Sequence, residues 1–341
     1  MTSPGVNWNR LAMAPLPLTI GINDYDHVRD LLSGRVEAEG IALTALNFEV
    51  EEIFFRFVRF REWDISEMSM GKYVSLRAGG DDSLIAIPVF PSRLFRHSGI
   101  YVRSDGAVRA PGDLKGKRIG VPEWSQTAVV YMVGLLRREY GVELEDVEWV
   151  QAGVNEPGRP EKAALKLPET VRLTRVADKT LSGMLEAGEL NAVMSAHPPE
   201  AYEKGESWIR RLFEDHAPVE LAYYRKTGIF PIMHTVAIRR EVYDQHRWIA
   251  MNLLEALEAA KRRSLARLRE YNTARIPLPW LPTRAKETAA IFSEDFWPYG
   301  VEPNRRTLEA FLDFAYEQGV CQRLLKMEEL FAPETASRFR V

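Results

Sequence analysis

The segment Asp113–Val142, DLKGKRIGVPEWSQTAVVYMVGLLRREYGV, constrains the fold more than any other. It reads as turn, strand, polar loop and helix. Asp113-Leu114-Lys115-Gly116 closes a turn, Lys117–Val121 is a short strand, and Pro122 ends it, because proline brings no N–H to a ladder. Ser125-Gln126-Thr127 then opens an apolar helix running to about Arg138. The first N–H groups of a helix have no partner inside it, and the helix dipole adds partial positive charge at that end. Such an end is a natural seat for a carboxylate or phosphate. A lone serine there is more often only an N-cap, so the reading depends on what surrounds it.

The surroundings alternate strand and helix. Leu18–Ile22 and Ile41–Phe48 read as strands, and His27–Leu32 as the helix between them. Glu51–Phe60 is helical, with Ile53, Phe54, Phe57 and Val58 spaced as one buried face. Trp63–Ser69 and Leu84–Val89 are strands, with a helix from Lys72. After the Asp113–Val142 unit come a strand near Val147–Gln151, a Pro/Gly-rich loop Gly153–Pro160 and a strand Leu190–Ser195. Such alternation predicts an α/β protein with ligand loops at the strand ends. At 341 residues the chain suits two lobes rather than one core. Lobe one is expected to hold residues 1–103 and 232–341, and lobe two residues 104–231. The charge run Lys261-Arg262-Arg263, in a long amphipathic helix, reads as a solvated face.

The DLKGKRIGVP…Ser/Thr-helix pattern resembles the second-domain opening of type 2 periplasmic binding proteins. Gly99–Val102 and Pro231–Ile238 look like that fold's two crossover strands, with the ligand cleft between the lobes. More narrowly, the chain resembles the 4,5-dihydroxyphthalate decarboxylase family. Four segments carry this: Leu94–Val102, Gly120–Thr127, Ser195-Ala196-His197-Pro198-Pro199 and Phe230–Thr235. The resemblance implies a carboxy-lyase converting 4,5-dihydroxyphthalate to protocatechuate and CO2. The alternatives on the same fold are a solute-binding or sensor protein for an aromatic acid, and another lyase such as a dehydratase of menaquinone-type metabolism.

Composition narrows the classes. A net charge of −3 argues against nucleic acid as partner. No window approaches the roughly 18 apolar residues that span a bilayer. Met1–Pro17 lacks a basic start followed by an apolar core, and the only cysteine, Cys321, cannot serve a lipobox. A cytoplasmic location is therefore expected. The expected partner is a small aromatic carboxylate; a homo-oligomer is compatible with the sequence. Cys321 reads as a packing residue.

Two of the six histidines, His97 and His234, stand at the starts of the predicted crossovers. The crossovers of a bilobal fold run side by side at the cleft floor, so these imidazoles are expected to face one another as general acid and base. His197 follows a cleft-directed strand and is a candidate ligand contact. Arg93, Arg96 and Arg29 are candidates for holding a carboxylate, which a planar guanidinium binds through paired hydrogen bonds. Trp124 is a candidate aromatic wall, and Ser125, Gln126 and Thr127 are the candidate anion clamp. No nucleotide-binding glycine motif and no dense metal-ligand spacing is present. The expectation is a cofactor-free reaction. The alternative is a divalent metal held by His97, His234 and Asp24 or Glu123.

Overall fold

The computed structural model describes residues 14–336; residues 1–13 of the stretch read above for an export signal lie outside them. In chain order the strands are β1 (Leu16–Gly21), β2 (Ile41–Leu46), β3 (Ile65–Ser69), β4 (Leu84–Ile87), β5 (Ile100–Arg103), β6 (Arg118–Val121), β7 (Glu148–Gly153), β8 (Arg172–Thr180), β9 (Ala192–Met194), β10 (Ile209–Arg211) and β11 (His234–Arg239). They form two sheets, ordered β2-β1-β3-β11-β4 and β10-β5-β9-β6-β7-β8. In the first, β1 runs parallel to β2 and β3, and β11 is inserted antiparallel between β3 and β4. In the second, β6 is parallel to β7 and β9. The expected two-lobed, type 2 periplasmic-binding-protein-like α/β fold is present.

The helices that shape the cleft are α1 (Asp26–Leu32), α2 (Val50–Phe60), α3 (Met70–Ala78) and α4 (Thr127–Tyr140). α4 is buried without interruption from Thr127 to Leu136. A helix apolar on all sides needs cover on all sides. α3 covers one side, and the C-terminal helix Arg305–Glu317 covers another. Phe314 lies so close to Gly134 that a methyl group there would overlap its ring, and Phe311 packs on Tyr131 with ring centroids 4.9 Å apart.

Three organisational expectations change. β5 pairs antiparallel with β9 and β10, so lobe two begins at β5 rather than at residue 104. The C-terminal segment does not belong to lobe one alone, because its helix clasps α4. Of the charge run, Arg262 and Arg263 are exposed as expected, but Lys261 is fully buried in the helix Ile249–Leu268 and pairs with Glu258 at 3.1 Å and Asp295 at 2.6 Å. The crossovers do run side by side. Arg93 and Ile232 form an antiparallel bridge, with Met233 N–H donating to the Ser92 carbonyl at 2.8 Å.

Candidate active site

A cavity of about 430 Å³ lies between the lobes. Lobe one contributes Val50, Glu51, Phe54, Phe55, Val58 and Arg59 from α2, and Ser69 and Lys72 from the β3–α3 corner. The crossovers contribute Arg96, Met233 and His234; lobe two contributes Glu123, Ser125–Ala128, Arg159, Lys162, Ala196 and His197. The apolar stripe of α2 is split between two tasks. Ile53 and Phe57 are buried in the core, whereas Phe54 and Val58 face the cavity.

His234 opens β11 opposite Ser69 of β3. Glu67 lies opposite Val236, two residues further along β11, so it meets His234 diagonally on the same sheet face. Glu67 is completely buried. It accepts hydrogen bonds from the Tyr25 hydroxyl at 2.6 Å and the Asn23 N–H at 3.0 Å, and its Oε1 lies 2.6 Å from His234 Nδ1. These contacts give the buried carboxylate the partners that burial demands. Burial and the Glu67 charge push the Tyr25 phenol well above its ordinary range, so it stays a donor. The arrangement puts the imidazole proton on Nδ1 and leaves Nε2 for the cavity. Phe54 meets the ring edge-on, centroids 4.9 Å apart. Glu67 had no assigned role in the sequence reading. The available signal was its place near the end of a strand that runs to the cleft, between Ser66 and Met68.

Arg96 lines the same cavity. Its Nε donates to Met233 Sδ at 3.1 Å, and among the described residues it forms no ion pair. Burial pushes the guanidinium down to about 10, still a cation at neutral pH. Lys72 also lacks an ion pair among the described residues, and burial lowers it. Arg159 is spoken for, 3.0 Å from Glu51 and 3.3 Å from Glu123. His197 sits at the rim with Nε2 3.6 Å from Glu51. His197, with Arg159 beside it, holds Glu51 down to about 2 against the opposing effect of burial. On the lining, Arg59, Lys72, Arg96, Arg159 and Lys162 face only Glu51 and Glu123 among carboxylates. The cavity suits an anion.

Several sequence candidates fall elsewhere. His97 does not line the cavity. It is 1% exposed, wedged edge-on against Phe213 and Tyr223, with neither ring nitrogen hydrogen-bonded. Burial, helped by His216, pushes it down to about 4. The expected pair of facing imidazoles is therefore corrected: the crossover turns His97 away from the cavity, where Nδ1 lies 3.8 Å from Glu220. Arg93 is buried against Asn304 behind the crossovers. Arg29 is exposed and pairs with Asp24 at 3.0 Å. Trp124 is fully buried, its indole N–H donating to the Gln318 carbonyl at 2.9 Å; it walls the core rather than the cavity. Burial pushes the Cys321 thiol up to about 12.

The expected clamp is present but engaged. The Ser125 hydroxyl donates to Glu161 at 2.5 Å, and Glu161 also accepts from the Trp124 N–H at 2.7 Å. A carboxylate of the chain itself thus occupies that anion seat. The Thr127 hydroxyl accepts from the Gly71 N–H at 2.9 Å and lies 3.0 Å from Ser69 Oγ. These are contacts between lobes, and a methyl group at Gly71 would overlap the Ser125 carbonyl. Gln126 accepts from the Ala196 N–H at 3.3 Å. The metal alternative lacks its ligand set: His97 is elsewhere and Asp24 is held by Arg29. Among the described residues no group of three or more His, Cys, Asp or Glu could hold a metal ion.

Residues 94–159 match the family described as NMT1/THI5 like. A 4,5-dihydroxyphthalate decarboxylase of Comamonas testosteroni is 38% identical, over 96% of this chain and 100% of its own. A 4,5-dihydroxyphthalate decarboxylase of Pseudomonas putida is 40% identical, over 63% of this chain and 84% of its own. Among solved structures, the periplasmic aliphatic sulphonate-binding protein SsuA of Escherichia coli shares the fold at a TM-score of 0.53. It is 13% identical and the match covers 94% of this chain and 99% of that one.

Proposed function

The chain belongs to the 4,5-dihydroxyphthalate decarboxylase family, and on that premise we propose that His234 and Arg96 carry its reaction, the loss of CO2 from 4,5-dihydroxyphthalate, without a cofactor. One observation supports these roles above the rest. A histidine backed by the buried Glu67 carboxylate opens on a cationic cavity beside a guanidinium that has no carboxylate partner among the described residues. The cavity, about 430 Å³, falls in the range of small-molecule sites.

The chemistry needs an acid for carbon, a stabiliser for the ionised phenol and an anchor for the retained carboxylate. Each carboxyl-bearing ring carbon lies para to a hydroxyl. That hydroxyl ionises, its proton passing to solvent and returning to the oxygen after CO2 has left, and the phenolate pushes electron density to the ipso carbon. His234, as imidazolium, gives its Nε2 proton to that carbon, and Glu67 stabilises the imidazolium beforehand. The C–CO2 bond then breaks, its electron pair restores the aromatic ring, and the carbon keeps the new hydrogen. In balance, one carboxylate and one proton become one C–H bond and CO2. We assign Arg96 to the retained carboxylate and Lys72 to the phenolate. A ring with a para hydroxyl is its own electron sink, which removes the usual need for an organic cofactor or metal.

The test is incubation of the purified protein with 4,5-dihydroxyphthalate, following CO2 and the aromatic product, before and after exhaustive chelation. Release that survives chelation, with unsubstituted phthalate unreacted, is expected. Activity lost on chelation and restored by a divalent metal would overturn the cofactor-free reading. Turnover of unsubstituted phthalate would overturn the phenolate step.

A further inference from the structure

A second cavity, about 330 Å³, lies behind the crossovers and has no part in the reaction above. Its walls include Arg93, Tyr224, Phe230, Phe292, Asp295 and Thr307. Arg93 is 5% exposed. Among the described residues its guanidinium forms no ion pair. Among those residues its one hydrogen-bond partner is the neutral Asn304 Oδ1, and Nε has none. Asn304 is itself fixed, donating to the carbonyls of Pro298 at 2.9 Å and Gly300 at 2.8 Å. Burial pushes Arg93 only to about 10, so it is charged at neutral pH. The Phe230 ring centroid lies 4.9 Å from the guanidinium carbon and that of Phe90 lies 5.7 Å from it. Such contacts offset only part of the cost of a buried cation.

The walls indicate what would offset the rest. Tyr224 and Phe292 have ring centroids 4.2 Å apart, and Phe230 lies 5.3 Å from Phe292. Asp295, the one carboxylate on the lining among the described residues, is taken by Lys261 at 2.6 Å. It acts on Arg93 through space without forming an ion pair with it, and it disfavours a second negative charge on an occupant. We propose that this cavity is a binding site for a single-ring aromatic monocarboxylate, its carboxylate on Arg93 and its ring among Tyr224, Phe230 and Phe292. This ligand class is what remains when an aromatic dicarboxylate loses one carboxyl group, so naming it as the product class rests on the function proposed above. The occupant would touch the lobe-two helix His216–Thr227 through Tyr224 and the C-terminal segment through Phe292 and Thr307.

The experiment uses the intact wild-type chain and 4-azidobenzoate as a photoreactive probe, with peptide mapping of the adduct. Labelling within residues 224–230 or 292–307 is expected, suppressed by excess 3,4-dihydroxybenzoate more than by 4,5-dihydroxyphthalate. Labelling confined to α2 and the Ala196-His197 loop, or none, would overturn the site. Calorimetry with 3,4-dihydroxybenzoate should show two binding events, of which Arg93→Gln removes one and Arg96→Gln the other. A single event indifferent to Arg93→Gln would also overturn it. Decarboxylation of 4,5-dihydroxyphthalate is assayed separately. Label at 224–230 or 292–307 without turnover leaves the site standing and the function overturned; turnover without label in either segment does the reverse.

Discussion

His234 has one ring nitrogen committed and, among the described residues, one free, and the commitment is to a carboxylate with no exposure to solvent. That asymmetry gives its variants distinct signatures. His234→Asn removes the proton donor, and kcat should fall by roughly 10²-fold or more, with substrate binding less affected. Glu67→Gln keeps the shape but removes the charge behind the imidazolium. Its kcat should fall by about tenfold or more, and the pH profile of kcat should move to lower pH, while Glu67→Asp should restore part of both. An unchanged profile would make Glu67 a packing residue only. Arg96→Gln should act mainly on KM, raising it about 10- to 100-fold, the scale of a charge-assisted hydrogen bond. The thiol of Cys321, buried and pushed up to about 12, should resist alkylation in the native protein at pH 8 and react only on unfolding, as a timed thiol titration would show.

At the scale of elements, the start of α4 is where a motif's outline and its use part company. The strand–loop–helix shape is the anion seat expected of it, but the Ser125 hydroxyl serves Glu161 and the Thr127 hydroxyl serves the β3–α3 corner of the other lobe. Thr127→Val should therefore act on stability more than on substrate affinity. It leaves the buried Gly71 N–H without its partner, at a cost of about 1–3 kcal/mol. Thermal unfolding of the variant checks this; an unmoved midpoint with a raised KM would return Thr127 to substrate binding.

Across the whole molecule, the lobes are joined by more than the crossovers. Glu51 of α2 reaches Arg159 and His197 of lobe two. A carboxyl held down to about 2 contributes stability that is complete above its unfolded value, about 4.3, and is lost as pH falls toward 2. The side chain is 43% exposed, so solvent screening limits the contribution to about 1 kcal/mol or less. Glu51→Gln should lower the urea midpoint at pH 7 slightly, and the difference from wild type should shrink steadily between pH 4 and pH 2. A difference independent of pH would assign the effect to packing.

Much of this molecule is legible along the chain. Strand and helix periodicities give the α/β class, and chain length with the resemblance carried by the Asp113–Val142 unit gives the two lobes. Four segments mark the family, and the crossover positions of Arg96 and His234 place both at the cleft. These are local properties, because hydrophobic period and turn chemistry act over a few residues. Tertiary structure alone decided the rest. Glu67 and His234 are 167 positions apart and meet only because β11 is inserted beside β3 in one register. His97 shares its crossover with Arg96 but turns into a lining of Phe213 and Tyr223. Ser125 and Thr127 have partners from Glu161 and from the opposite lobe. A side chain's chemistry is written at its own position, but its charge state, its free donors and its access to the cleft depend on neighbours brought there by folding.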